Sequence, residues 1–220
     1  MSELWEPLFL SLRIAGLATL LTSAAAIPLA YAMARRRFAG KSVAEALITM
    51  PLVLPPTVVG YLLIMGLGAR GWVGQWLDRA FGYSIVFRIE GAVLAAAVVA
   101  LPMLYLPAKA AFASVDRELE EIALLMGANR LQIFWHVSLP LARRGIASGL
   151  MLAFARALGE FGATVMVFGF QPRQMTLPIS IYADYEQGNI AHATAAAIAL
   201  AGLSLGMMLV YNWSSAGRRE

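Results

Sequence analysis

The sequence predicts an all-helical integral membrane protein with five, at most six, transmembrane helices in a single domain over residues 1–220. Three observations carry this. First, 60% of the residues are hydrophobic and only 14% are charged, where a soluble domain has about 25% charged residues. Second, apolar runs long enough to cross a bilayer recur along the chain. Third, Lys and Arg gather in short blocks between those runs, as they do in cytoplasmic loops. That pattern explains the net charge of +4 without nucleic acid as a partner. There is no cysteine, which excludes a disulfide framework, thiolate chemistry and cysteine metal sites.

The first run, Ile14 to Ala34, is 21 residues without a charge. As a helix it reaches about 30 Å, the thickness of the hydrocarbon layer. The second run, Ala46 to Ala69, is interrupted by Pro51, Pro55 and Pro56. Each proline removes a backbone donor, so a kinked span is expected, with its freed carbonyls satisfied by protein or by a cavity. The third run, Gly91 to Ala108, carries Pro102 and Pro107, and the fourth, Gly145 to Pro172, contains Arg156 and Glu160. The fifth has its apolar core at Ile190 to Tyr211.

Glu3 and Glu6 precede the first run, and Arg35, Arg36, Arg37 and Lys41 follow it. A signal peptide has the opposite order, so the run reads as a first span with the N-terminus outside. Those four basic residues, with Lys109, Arg117, Arg130, Arg143, Arg144, Arg218 and Arg219, put eleven on one side. Arg70, Arg79, Arg88 and Arg173 put four on the other. The imbalance predicts an outside N-terminus and a cytoplasmic C-terminus.

Two connections are long enough to fold. In the outer one, Trp72, Val73, Trp76, Leu77, Ala80 and Phe81 mark one face of a helix suited to the membrane interface. The inner one, Lys109 to Arg144, is richer. Ser114 and Asp116 are N-cap candidates, and Glu118, Glu120 and Glu121 crowd the first turn. Leu119, Ile122, Ala123 and Met126 form one apolar face, with Leu124 and Leu125 on another. Gly127 stops this helix, and a second segment, Leu131 to Leu139, is expected to halt at Pro140. A cytoplasmic helix apolar on two faces has three possible settings: its own bundle, another protein, or the membrane interface.

No phosphate-binding Gly-x-x-x-x-Gly-Lys-Ser/Thr loop is present. Gly66, Gly68 and Gly71 match Gly-x-Gly-x-x-Gly, but they close an apolar helix instead of following a strand, so they carry no dinucleotide reading. His136 and His192 lie far apart without ligand-spaced partners. No catalytic group and no metal site is expected. Gly145 with Gly149, and Gly202 with Gly206, have the Gly-x-x-x-Gly spacing, read first as packing within the chain. Arg156 and Glu160 are four residues apart, so they can pair on one helix turn. The second reading places them along a transport pathway or gate.

The inner loop resembles a family. Glu121, Ala123, Gly127, Val137, Leu139 and Pro140 stand at the spacing of the Glu-Ala-Ala-x-x-x-Gly-x9-Ile-x-Leu-Pro loop of bacterial ABC importer permeases. Ile122 and Val137 depart from that pattern by apolar replacements. MPLVLPPTVVGYLLIMGLGARGWVG at 50–74 resembles molybdate permeases. ARALGEFGATVM at 155–166 resembles a segment shared by molybdate, tungstate and sulfate permeases, and MTLPISIY at 175–182 resembles a stretch of the same group.

The resemblance implies the type I ABC importer permease core, with the loop at about 109–144 acting as the ATPase-coupling element. It implies a second copy of the chain, two ATP-binding subunits and an extracytoplasmic substrate-binding protein, all at the bacterial inner membrane. No cofactor is expected on this chain, and ATP and Mg would be bound by the ATPase partner. The implied cargo is molybdate, with tungstate or sulfate as the alternative and a secondary transporter as a more distant one.

Overall fold

The computed structural model describes residues 2–171 and 174–216. Pro172, Arg173, Arg218 and Arg219, used above as span limits or in the charge count, lie outside these residues. The described residues form helices α1 (Ser2–Arg35), α2 (Lys41–Thr49), α3 (Pro56–Leu67), α4 (Trp72–Phe81), α5 (Ile89–Ala113) and α6 (Arg117–Leu125). They continue with α7 (Arg130–Ile133), α8 (Leu139–Leu158), α9 (Gly162–Phe168), α10 (Leu177–Glu186) and α11 (Ile190–Ala216). A 3₁₀ turn at Met50–Leu52 follows α2, and a π turn at Phe134–Ser138 joins α7 to α8.

The core is a three-helix stack of α1, α5 and α8. Its contact surfaces are built largely from alanine: Ala15, Ala18, Ala26 and Ala30 on α1, Ala92, Ala96, Ala100 and Ala108 on α5, and Ala142, Ala153 and Ala157 on α8 are all buried. Lipid gives apolar helices no hydrophobic reason to associate, so small residues that allow close backbone approach take over that role. A Cβ on Gly145 would lie 2.5 Å from the Ala111 Cβ, and one on Gly149 would lie 2.8 Å from the Leu104 Cδ1. The first glycine pair is therefore an intrachain seam between α8 and α5. The second is not. Gly202 and Gly206 have nothing within 4 Å of a Cβ position, and they line an open apolar groove of about 720 Å³ with Thr19, Phe154 and Leu203.

Among the described residues, three helices are long and apolar enough to cross a membrane: Leu4–Arg35, Ile89–Ala113 and Ile190–Trp213. The count reaches five only if each of two bent pairs is one span. α10, with 10 residues, is about 15 Å long and too short for a sixth.

The second run is not one kinked helix as expected. The chain turns by 113° between Lys41–Leu52 and Pro56–Leu67, because three prolines within six residues remove the donors a continuous helix would need. The fourth run bends by 58° between Arg130–Leu158 and Gly162–Phe168. Pro140 does not halt the segment from Leu131 either. Helix continues from Arg130 to Leu158, and within the π turn the Leu139 N–H bonds the Phe134 carbonyl five residues back. That wider turn redistributes the carbonyls that the missing proline donor would otherwise strand.

Candidate functional site: an exposed apolar helix and two helix breaks

α6 is fixed at both ends by its own sequence. The Asp116 carboxylate accepts the Glu118 N–H at 3.0 Å, while Ser114 bonds back to the Ala111 carbonyl and caps nothing. At the other end Gly127 adopts φ +89°. Its N–H reaches the Leu124 carbonyl at 2.9 Å and the Ala128 N–H reaches Ala123 at 3.0 Å, the paired bonds of a Schellman stop. α7 then starts on a reciprocal capping box, with Asn129 and Gln132 exchanging bonds at 2.8 and 2.9 Å.

None of the residues of α6 is buried. Leu119, Ile122, Leu124 and Leu125 are exposed, Leu125 to 88%, and Met126 just past the helix end to 83%. Both apolar faces expected from the sequence are thus largely exposed. Ala123, Val137 and Pro140 meet Leu119, Ile122 and Met126 around a groove of about 400 Å³. Gly127 and Val137 line an adjoining groove with His136. Leu139 instead packs against the main core. Glu121 is exposed.

Glu120 behaves differently from its neighbour. It turns inward, with its side chain 14% exposed, and meets Arg35 at the end of α1 at 2.8 Å. The same oxygen accepts the Ser138 hydroxyl at 2.6 Å. Arg35 also donates to the Val115 carbonyl at 3.0 Å. Charge-assisted bonds of this kind are worth about 1.5–3 kcal/mol each. A second tie joins Lys109 on α5 to Glu45 on α2 at 2.6 Å. Sequence reading had placed Arg35 and Lys109 only as positive charges on one side of the membrane. Partners 85 and 64 residues away leave no local signal.

The other charged element lies at the bend of the fourth run. Arg156 Nη1 and Glu160 Oε2 are 2.6 Å apart, with Glu160 side-chain exposure at 1%. The pair does not lie along one helix turn, because α8 ends at Leu158. Glu160 sits in the break, where its Oε1 accepts the Ala163 N–H at 2.7 Å. It therefore satisfies an orphan donor at the start of α9 while neutralising Arg156. The two breaks touch each other. A Cβ on Gly162 would lie 3.0 Å from the Pro56 Cβ and 3.1 Å from the Thr57 nitrogen. A Cβ on Gly60 would lie 2.7 Å from the Met166 Cβ and 2.9 Å from the Ala163 Cα. Irregular backbone at membrane depth is tolerated only where protein or a cavity covers it, and here each broken helix covers the other.

His192, on α11, bonds Asp184 on α10 at 2.6 Å, a partner the sequence did not reveal because it belongs to a different helix. Phe87 adopts φ +64° and is held there by bonds to Val167 and Gln171 at 2.8 Å each. Among the described residues no group of three or more His, Asp or Glu side chains is placed to hold a metal ion.

Residues 26–220 match the family of binding-protein-dependent transport system inner membrane components. The chain belongs to that family. This permease chain is 38% identical over 221 residues to the molybdenum transport system permease protein ModB of Escherichia coli (strain K12), covering 98% of the chain and 95% of the relative. It is also 38% identical over 208 residues to the putative molybdenum transport system permease protein YvgM of Bacillus subtilis (strain 168), covering 94% and 92%. In fold it is similar to a chain of a bacterial ABC transporter involved in the import of the acidic polysaccharide alginate. The TM-score is 0.69 at 22% identity, with 98% of this permease and 79% of that chain covered. The helical permease architecture expected from the coupling motif is thereby established.

Proposed function

We propose that this permease is the membrane-spanning subunit of an ATP-driven molybdate importer. The observation that carries the cargo is the 38% identity to a molybdenum transport permease over 98% of the chain. The chain forms one permease domain at the inner membrane, N-terminus outside and C-terminus cytoplasmic. It works with a second copy of itself, two ATP-binding subunits and an extracytoplasmic binding protein. ATP and Mg belong to the ATPase, and this chain hydrolyses nothing.

Its own residues divide the work. Glu121 and the groove around Ala123, Gly127, Val137 and Pro140 dock on the ATPase, since an exposed helix apolar on two faces needs a protein to cover it. Arg156 and Glu160 hold the bend of the fourth run, where a gate can open by moving one broken helix against the other. A secondary transporter would need several embedded acids free for ion coupling. Glu160 is instead committed to Arg156 and to the Ala163 N–H.

Molybdate, tungstate and sulfate are tetrahedral dianions of similar shape, so this reading places selection on the binding protein and gating on this chain. Cells lacking the chain are expected to lose molybdoenzyme activity at trace molybdate and to recover it with excess molybdate, with sulfate-dependent growth unchanged. Sulfur auxotrophy with normal molybdoenzyme activity would make sulfate the cargo.

A further inference from the structure

α6 is attached to the rest of the protein in an unusual way. A helix that transmits force to a membrane bundle would be expected to bury an apolar face against it. This one buries no residue. Only Glu120 and Ala123 within it are even half-buried. Ala123 offers one methyl group to a groove. Glu120 reaches Arg35 at 2.8 Å and Ser138 at 2.6 Å, and Arg35 reaches Val115 at 3.0 Å. One carboxylate oxygen thus ties the end of α1 to the π turn that leads into α8, and Arg35 adds the linker into α6. α1 and α8 are two of the three helices of the core.

We propose that Glu120 is the positioning residue of energy coupling. With Arg35 and Ser138 it forms the joint that makes α6 move as one body with α1 and α8, while the neighbouring Glu121 contacts the ATPase. The proposal rests on the importer reading and deepens it by separating docking from transmission. The location of Ser138 in a π turn fits this role. A π turn is a local irregularity with a wider backbone path than an α-helix, and the Ser138 hydroxyl lies 3.4 Å from the Ile133 carbonyl within it. A shift of Glu120 therefore acts on the irregular turn that starts α8. Arg35, the last residue of α1, sits where a side chain can pull on a whole span without bending it.

Two measurements test this, the second helped by the absence of cysteine. In the complete transporter with ATPase and binding protein, Glu120→Ala and Ser138→Ala are expected to keep ATPase association. Molybdate taken up per ATP hydrolysed should fall about tenfold in Glu120→Ala and less in Ser138→Ala. Glu120→Gln, which still accepts from Ser138, should lie between Glu120→Ala and wild type. Separately, in the isolated chain, spin labels at Arg37→Cys and Arg117→Cys should give a narrow distance distribution that broadens in Glu120→Ala. This second readout needs no cargo, so it stands even if the wild-type complex fails to take up molybdate and the importer reading falls. An unchanged distribution, wild-type uptake per ATP in Glu120→Ala, or loss of ATPase association in that variant would each overturn the joint.

Discussion

Adjacent acids on α6 have opposite fates. Glu121 is exposed and Glu120 is turned inward onto Arg35. Glu121→Lys is expected to insert normally but to lose uptake and weaken ATPase association by about 1.5–3 kcal/mol, the worth of a charge-assisted contact. Co-purification of the ATPase with the variant measures this, and retained association would remove Glu121 from the interface. Glu160 poses a different problem, since it has two duties. Glu160→Ala leaves Arg156 unpaired and the Ala163 N–H without its acceptor, and should destabilise by about 3 kcal/mol. Glu160→Gln keeps the acceptor and loses only the charge, so thermal unfolding should rank wild type above Gln and Gln above Ala. A simple charge swap cannot restore both functions, because an arginine at 160 cannot accept the Ala163 N–H. Equal stability of the Gln and Ala variants would mean that only the ion pair matters.

At the scale of elements, what was legible in the sequence was whatever has a local cause. The Asp116 cap, the Gly127 stop and the exposed apolar faces of α6 follow from neighbours within one or two turns, and so does helix α4. The Arg156–Glu160 pairing was also visible as a four-residue spacing. The breaks were harder. Pro51, Pro55 and Pro56 mark the break of 113°, but its contact with α9 has no local signal in the sequence. Pro140 was misread as a stop because a π turn, which can absorb a missing donor, has no clear sequence signature. Gly60 had no assigned role until its contacts with Ala163 and Met166 appeared. A Cβ at Gly60 falls within 2.9 Å of backbone, which a rotamer change cannot relieve. Gly60→Val should therefore separate α3 from α9 and cost about 1–3 kcal/mol, measurable as a lower unfolding temperature in detergent. Gly202→Ala, in open space, should leave that temperature unchanged.

The whole molecule turns on whether each bent pair crosses the membrane. α3, at 12 residues, is about 18 Å long and cannot span the hydrocarbon alone. Five crossings require α2, its turn and α3 to act together. Cysteine labelling separates the alternatives: Arg37→Cys should react only from the cytoplasmic side and Gln75→Cys only from outside. Reaction of both from one side would make the second run a re-entrant loop and put an even number of crossings on the chain. The central claim is ATP-driven molybdate import, and it is tested most directly by purifying the permease with its ATPase and binding protein into vesicles and following labelled molybdate. ATP with molybdate-loaded binding protein should drive accumulation inside the vesicles, and omitting either should abolish it. Accumulation that proceeds without ATP, or that carries sulfate and not molybdate, would contradict the account.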